Sequence, residues 1–177
     1  LLSMLKRLKP TSAGAAAGVG IADFTISEVS GRDFGATGNY NWYMGNGNIY
    51  YAGTNGAFSP AYAANDIIMV ALDTDNGKAW FGKNGVWQNS GVPTSGASKT
   101  GAQTLTTPEV RSSGYNFWVP GLCGFDGGQS YVMQINFGNP TFTIASSNSD
   151  ANGYGSFEYA VPSGYYAICT KNIKEFG

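Results

Sequence analysis

Histidine is absent from this 177-residue chain. Its absence removes the commonest general base, the usual zinc ligand and every Ser-His nucleophilic arrangement. Cysteine is scarce, with only Cys123 and Cys169. Two cysteines do not make a disulfide framework, and a thiol without histidine is a poor nucleophile. Cys169 ends an apolar run from Tyr165 and reads as a small buried hydrophobe; the sequence leaves its pairing with Cys123 open. Charge is scarce too: 12% of residues are Asp, Glu, Lys or Arg, about half the usual share. The net charge of −1 gives no pull toward nucleic acid or membrane surfaces. No apolar run is long enough to cross a bilayer. Gly-x-Gly occurs at residues 18–20 and 45–47, but neither copy sits in a βαβ context and no phosphate loop ending in Lys-Ser/Thr exists. The expectation is a protein that is not an enzyme and takes no cofactor and no metal.

What is present is apolar and turn-forming. Hydrophobic residues make up 42% and aromatics 14%, enough for one domain with a packed core, and there are 26 glycines. Many short apolar segments separated by Gly, Asn, Ser and Thr predict an all-β antiparallel sandwich. Residues 1–17 read differently. LLSMLKRLKP carries Lys6, Arg7 and Lys9, and TSAGAAA follows as a small-residue linker. This is read as a short amphipathic arm of a helical turn or two, with the sandwich over 18–177. Truncating the arm is expected to detach the domain from an assembly while leaving it folded. Strands are predicted at 18–24, 49–51, 117–125 (broken at Pro120), 131–138 and 164–173. Residues 30–48 read as loop or short hairpins, Asn55-Gly56 as a turn, and 89–114 and 145–156 as polar loops.

The most specific stretch is DIIMVALDTDNGKAWFGKNGVW, residues 66–87. An apolar run from Ile67 ends at Leu72-Asp73. Asn76-Gly77 and Asn84-Gly85 then each suit a tight two-residue turn, in which both central residues take positive φ. The strand between the turns carries Trp80 and Phe81, which alternation sends to opposite faces, and Trp87 follows. All three aromatics read as anchors of the scaffold rather than stacking platforms. Asp73-Thr74-Asp75-Asn76-Gly77 mimics the start of a calcium loop. Such a loop needs a Glu at its twelfth position, where this chain has Asn84, so the preferred reading is a turn held by Asp and Asn side chains.

The wording of this stretch resembles the centre of a SPRY (B30.2-like) domain. The residues that carry the resemblance are Asp66, Leu72-Asp73, Asn76-Gly77, Lys78, Trp80-Phe81, Lys83-Asn84-Gly85 and Trp87. Asn136-Phe137-Gly138 with Phe142, and Pro162-Ser163-Gly164-Tyr165 leading to Cys169 and Asn172, are similar to later strands of the family. GVGI at 18–21 is similar to an early one. The family's usual Tyr-x-Glu-containing strand before that point has no counterpart; a Gly/Ala stretch stands there. The Lys-Asn-Gly-x-Trp ending and PSGYYAICTKNI are most similar to SPRY domains of bacteriophage and other viral structural proteins. The resemblance implies a non-catalytic structural or recognition module of a virion: a capsid, decoration or tail component, including a tail fibre, in an oligomeric assembly with other virion proteins. A receptor- or glycan-binding module is the alternative, and a cellular SPRY adaptor that recognises a peptide is a third. Recognition would fall to loops at one end of the sandwich. Tyr40, Trp42 and Tyr43 among Gly and Asn, and Tyr115 and Trp118 beside the long polar loop, are the candidate partner-binding residues.

Overall fold

In the computed structural model the described residues are 2–10, 17–23, 40–51, 54–105, 118–124 and 131–176. They form an antiparallel β-sandwich. In chain order the strands are β1 (Leu2–Pro10), β2 (Ala17–Asp23), β3 (Tyr40–Met44), β4 (Asn48–Tyr51), β5 (Thr54–Ala57), β6 (Ile67–Asp73), β7 (Lys78–Lys83), β8 (Val86–Trp87), β9 (Gln103–Thr104), β10 (Trp118–Gly124), β11 (Tyr131–Asn136) and β12 (Tyr166–Ala167). A seven-residue helix, α1 (Thr170–Phe176), follows. One sheet runs β11-β1-β6-β7-β8, with β12 beside β1 and β9 beside β7; the other runs β10-β2-β3-β4-β5.

The core lies between the sheets. Ile68, Val70 and Leu72 of β6 with Ala79 and Phe81 of β7 meet Val19 and Ile21 of β2 and Tyr43 of β3, and Tyr62 and Leu105 close the ends. The unbroken apolar run Ile67–Leu72 is explained by a second burial. Met69 and Ala71 point away from the partner sheet and are covered by Phe157, Ala167 and Tyr165. A strand buried on both faces shows continuous rather than alternating hydrophobicity. Trp80 and Phe81 divide as alternation requires. Phe81 packs between the sheets; Trp80 lies under the outer layer, edge-on to Tyr165 with ring centroids 6.2 Å apart. Its indole N–H donates to the Thr100 carbonyl at 2.8 Å. Trp87 is half-buried in the same layer.

Several expectations from sequence are corrected. Residues 2–10 are not an arm but a strand inside the larger sheet: Leu2–Arg7 pair with β6 and Leu5–Pro10 with β11. Asn76-Gly77 is not a two-residue turn. Asp73 pairs with Lys78 across a four-residue loop in which only Gly77 has positive φ, 58°. Asn84-Gly85 is the tight turn expected, with φ of 49° and 86° between the paired Lys83 and Val86. Asn55-Gly56 lies inside β5. The predicted strand 164–173 is cut to Tyr166–Ala167, and α1 begins at Thr170. Pro120 does not break β10, because β10 is the outermost strand of its sheet among the described residues and an edge position tolerates a missing N–H.

The tight turn permits a direct test. A Cβ on Gly85 would stand 2.9 Å from the Tyr159 ring, and φ is positive there. Gly85→Ala is expected to lower stability by about 1–3 kcal/mol. Gly56→Ala, where a Cβ would meet nothing within 4 Å, is expected to be near neutral. Urea midpoints compare the two, and equal midpoints would contradict the geometry.

Candidate functional site

The described aromatic residues singled out from sequence lie in two strands. Tyr40, Trp42 and Tyr43 lie in β3, not in a loop. Register places Tyr43 opposite Val19 and Ile49, facing inward, and it is fully buried. Its ring meets Tyr62 and Phe58 edge-on, and its hydroxyl donates to the Pro60 carbonyl at 2.8 Å. Burial pushes its phenol pKa up, with a smaller opposing effect from the Ser59 hydrogen bond. Tyr43 is therefore a core residue and has no surface to offer a partner. In the backbone register Trp42 stands opposite Gly20 and Tyr50, and Tyr40 opposite Ala22. Trp118 opens β10 and packs half-buried against the inter-sheet core. Tyr115 lies outside the described residues.

The polar residues of the 66–87 motif hold the scaffold. Asn84 donates to the Asp66 carboxylate at 2.7 Å and accepts from the Ile67 amide at 2.8 Å, which fastens the tight turn to the start of β6. Asp73 accepts from the Asn76 amide and side chain and from Lys99 at 2.7 Å. Burial by itself would raise the Asp73 carboxyl pKa, but the hydrogen bonds from Lys99 and Asn76 outweigh it and hold the pKa below the ordinary carboxylate value. The loop read as turn chemistry is held by its own Asp and Asn, with a lysine from the neighbouring loop.

Among the described residues there is a cleft of about 640 Å³ at the seam where β11 and β12 both end. Its apolar walls are Ile135, Phe137 and Ile168; Tyr154, Ser156 and Lys171 supply its polar rim. Ile135 is 37% exposed, unusual for an isoleucine in a strand of the sheet. Asn136, itself buried, shapes the exit of β11. It accepts from the Gly138 amide and donates to the Ser156 carbonyl, both at 2.7 Å. The opposite lip is hung on Asp150, 6% exposed. One of its oxygens accepts from the amides of Asn152 and Tyr154; the other accepts from the Ala167 amide and the Asn172 side chain, at 2.7–3.0 Å. Burial by itself would raise the Asp150 carboxyl pKa, but the donors from Ala167, Tyr154, Asn172 and Asn152 outweigh it, so the carboxylate is held below its ordinary value. At the rim the Tyr154 hydroxyl donates to Glu175, and the Lys171 ammonium lies 5.3 Å from the Tyr154 ring centroid. The Cys169 thiol is free and lines the wall.

Sequence reading placed residues 145–156 in a featureless polar loop and missed this arrangement. The signal available was Asp150-Ala151-Asn152-Gly153, a turn-forming string whose aspartate bonds its own backbone two residues on. Chemically, the cleft offers apolar contact, hydroxyls and one cation, which suits recognition. No protein-family model matches the sequence, and neither does any curated protein. Among solved structures, the crystal structure of the SPRY domain of human HERC1 is similar to this chain at 15% identity and a TM-score of 0.45, over 75% of this chain and 72% of that one.

Proposed function

We propose that this chain is a non-catalytic recognition module that works in a virus particle, as a phage capsid, decoration or tail component. The observation that carries the non-catalytic part is the use made of its buried acids. Asp73 and Asp150, the two acids buried among the described residues, are saturated with donors and kept ionised, which suits holding loops rather than exchanging protons. A sandwich with few charges and a shaped cleft fits a body that is displayed and bound. The virion assignment rests on the resemblance of the Lys83-Asn84-Gly85 and Pro162–Asn172 wording to viral SPRY domains. Cross-linking mass spectrometry on purified particles tests it. The expected result is this chain joined to a capsid or tail protein; its absence from particles overturns the virion reading.

A further inference from the structure

We infer that Asn46 is a site of spontaneous deamidation, selected by the fold from the Asn-Gly pairs of the chain. Those pairs begin at Asn46, Asn55, Asn76, Asn84 and Asn152. The reaction needs no partner beyond hydroxide and water. The Gly47 backbone nitrogen, its proton taken by hydroxide, attacks Cγ of Asn46. A bond from that nitrogen to Cγ forms, the Cγ–Nδ2 bond breaks, and the side-chain nitrogen leaves as ammonia with a proton from water. Water then opens the cyclic imide at either carbonyl, giving aspartate or isoaspartate.

Asn46 is exposed, in the turn from β3 to β4. Its Oδ1 accepts from the Asn48 amide at 3.0 Å. A bond from an Asn side chain to its own backbone two residues on folds the carboxamide over the intervening peptide, which sets Cγ beside the Gly47 nitrogen. The same Asn48 amide stands where Oδ1 gains negative charge during the attack, the position a stabilising donor needs. The leaving nitrogen is unheld: Nδ2 of Asn46 has no partner among the described residues. At Asn76, Asn84 and Asn152 that nitrogen is bound to Asp73, Asp66 and Asn172 respectively. Asn55 lies within β5, whose pairing with β4 keeps the backbone extended. The fold also keeps the glycine. Gly47 has φ of 89°, and a Cβ there would stand 2.1 Å from the Ser59 carbonyl oxygen. Its N–H donates to the Met44 carbonyl at 2.9 Å, and that bond has to break, so the conversion is slow. The product loosens the turn. Isoaspartate lengthens the main chain by one methylene, where the Gly45 carbonyl accepts from the Tyr62 amide and the Gly47 carbonyl from the Phe58 and Ser59 amides. Phe58 and Tyr62 pack edge-on against the buried Tyr43 ring, so the strain reaches the core.

The test incubates the full chain in mildly alkaline buffer, native or in concentrated urea, and follows amide-to-acid conversion by peptide mass spectrometry. In urea the Asn-Gly pairs are expected to convert at similar rates, because only local sequence then acts. In the native chain Asn46 is expected to lead the other pairs roughly tenfold. Asn48→Pro removes the donor at the first residue of β4, where proline is tolerated, and is expected to erase that lead while a cooperative unfolding transition persists. Another pair leading in the native chain overturns the inference, and so does a native order identical to that in urea. An Asn48→Pro chain that unfolds cooperatively and keeps the lead also overturns it. The comparison of native with unfolded wild type decides the matter even if that variant does not fold. The isoaspartate fraction, separated by ion exchange, is expected to unfold at lower urea than the unconverted chain. Asn46→Gln, whose longer side chain closes the ring far more slowly, is expected to keep its midpoint after the same incubation. An isoaspartate fraction with an unshifted midpoint overturns the coupling of this turn to the core.

Discussion

Deleting residues 1–10 is expected to abolish the cooperative unfolding transition and drive the chain into aggregates. β1 sits between β6 and β11, in register with six residues of each. Its removal splits the larger sheet and opens two long edges beside the core strand β6, each a template for pairing with another chain. The loss exceeds a domain's usual margin of about 5–15 kcal/mol. Near-ultraviolet circular dichroism on heating reads the outcome. Adding a synthetic peptide of residues 1–10 in trans is expected to restore part of the signal, because the missing element is a strand and not a tether. A truncated chain that melts cooperatively within a few degrees of the intact one would show that β1 is dispensable, as an arm would be.

Asp150→Ala is expected to cost about 3–5 kcal/mol, because it leaves buried donors from Asn152, Tyr154, Ala167 and Asn172 without their acceptor. Asp150→Asn, which keeps one acceptor oxygen but points an NH₂ at donors, is expected to fall between alanine and wild type. The pH dependence has a definite sign. The folded-state pKa of Asp150 is depressed below the ordinary 3.8. Its stabilisation is therefore fully present above that value and lost as pH falls through the lower folded pKa. The urea midpoints of wild type and Asp150→Asn are expected to differ at neutral pH and to converge below about pH 4. Parallel curves down to low pH would remove Asp150 as the group responsible. Asp73 is depressed in the same direction, so the variant keeps some acid sensitivity of its own.

How much was legible depended on how local the determinant is. The Asn84-Gly85 turn was readable because both residues that need positive φ sit in the turn itself. Asn76-Gly77 has the same letters and makes a wider loop. The difference lies in what surrounds it: Asp73 captures Asn76 and Lys99, and Gly77 alone takes the left-handed conformation. The opposite facing of Trp80 and Phe81 followed from strand alternation, while what covers each did not. The cover over Trp80 comes from Thr100 and Tyr165, 20 and 85 residues on. Tyr43 was misplaced because Gly and Asn neighbours suggest a loop, whereas pairing with Val19 and Ile49 makes β3 a strand and turns Tyr43 inward.

By itself, the sequence determined the class of the fold: frequent turn residues between short apolar segments, and an Ile67–Leu72 run that has to be buried. It also determined the missing chemistry of histidine, since an absent side chain cannot be supplied by folding. Only the tertiary structure decided the fate of residues 2–10 and the place of the cleft. The ten-residue start carries leucines and basic residues that suit an amphipathic arm equally well. Its partners on β6 and β11 are 60 to 131 residues away, and hydrogen bonds to strands so distant leave no local pattern. The cleft is likewise made by three separated segments, 135–139, 153–156 and 168–171; buried Asp150 ties the second to the residues flanking the third, and Asn136 ties the first to Ser156. Which aspartate becomes that hub depends on which backbone amides are left without partners once the sheets have closed.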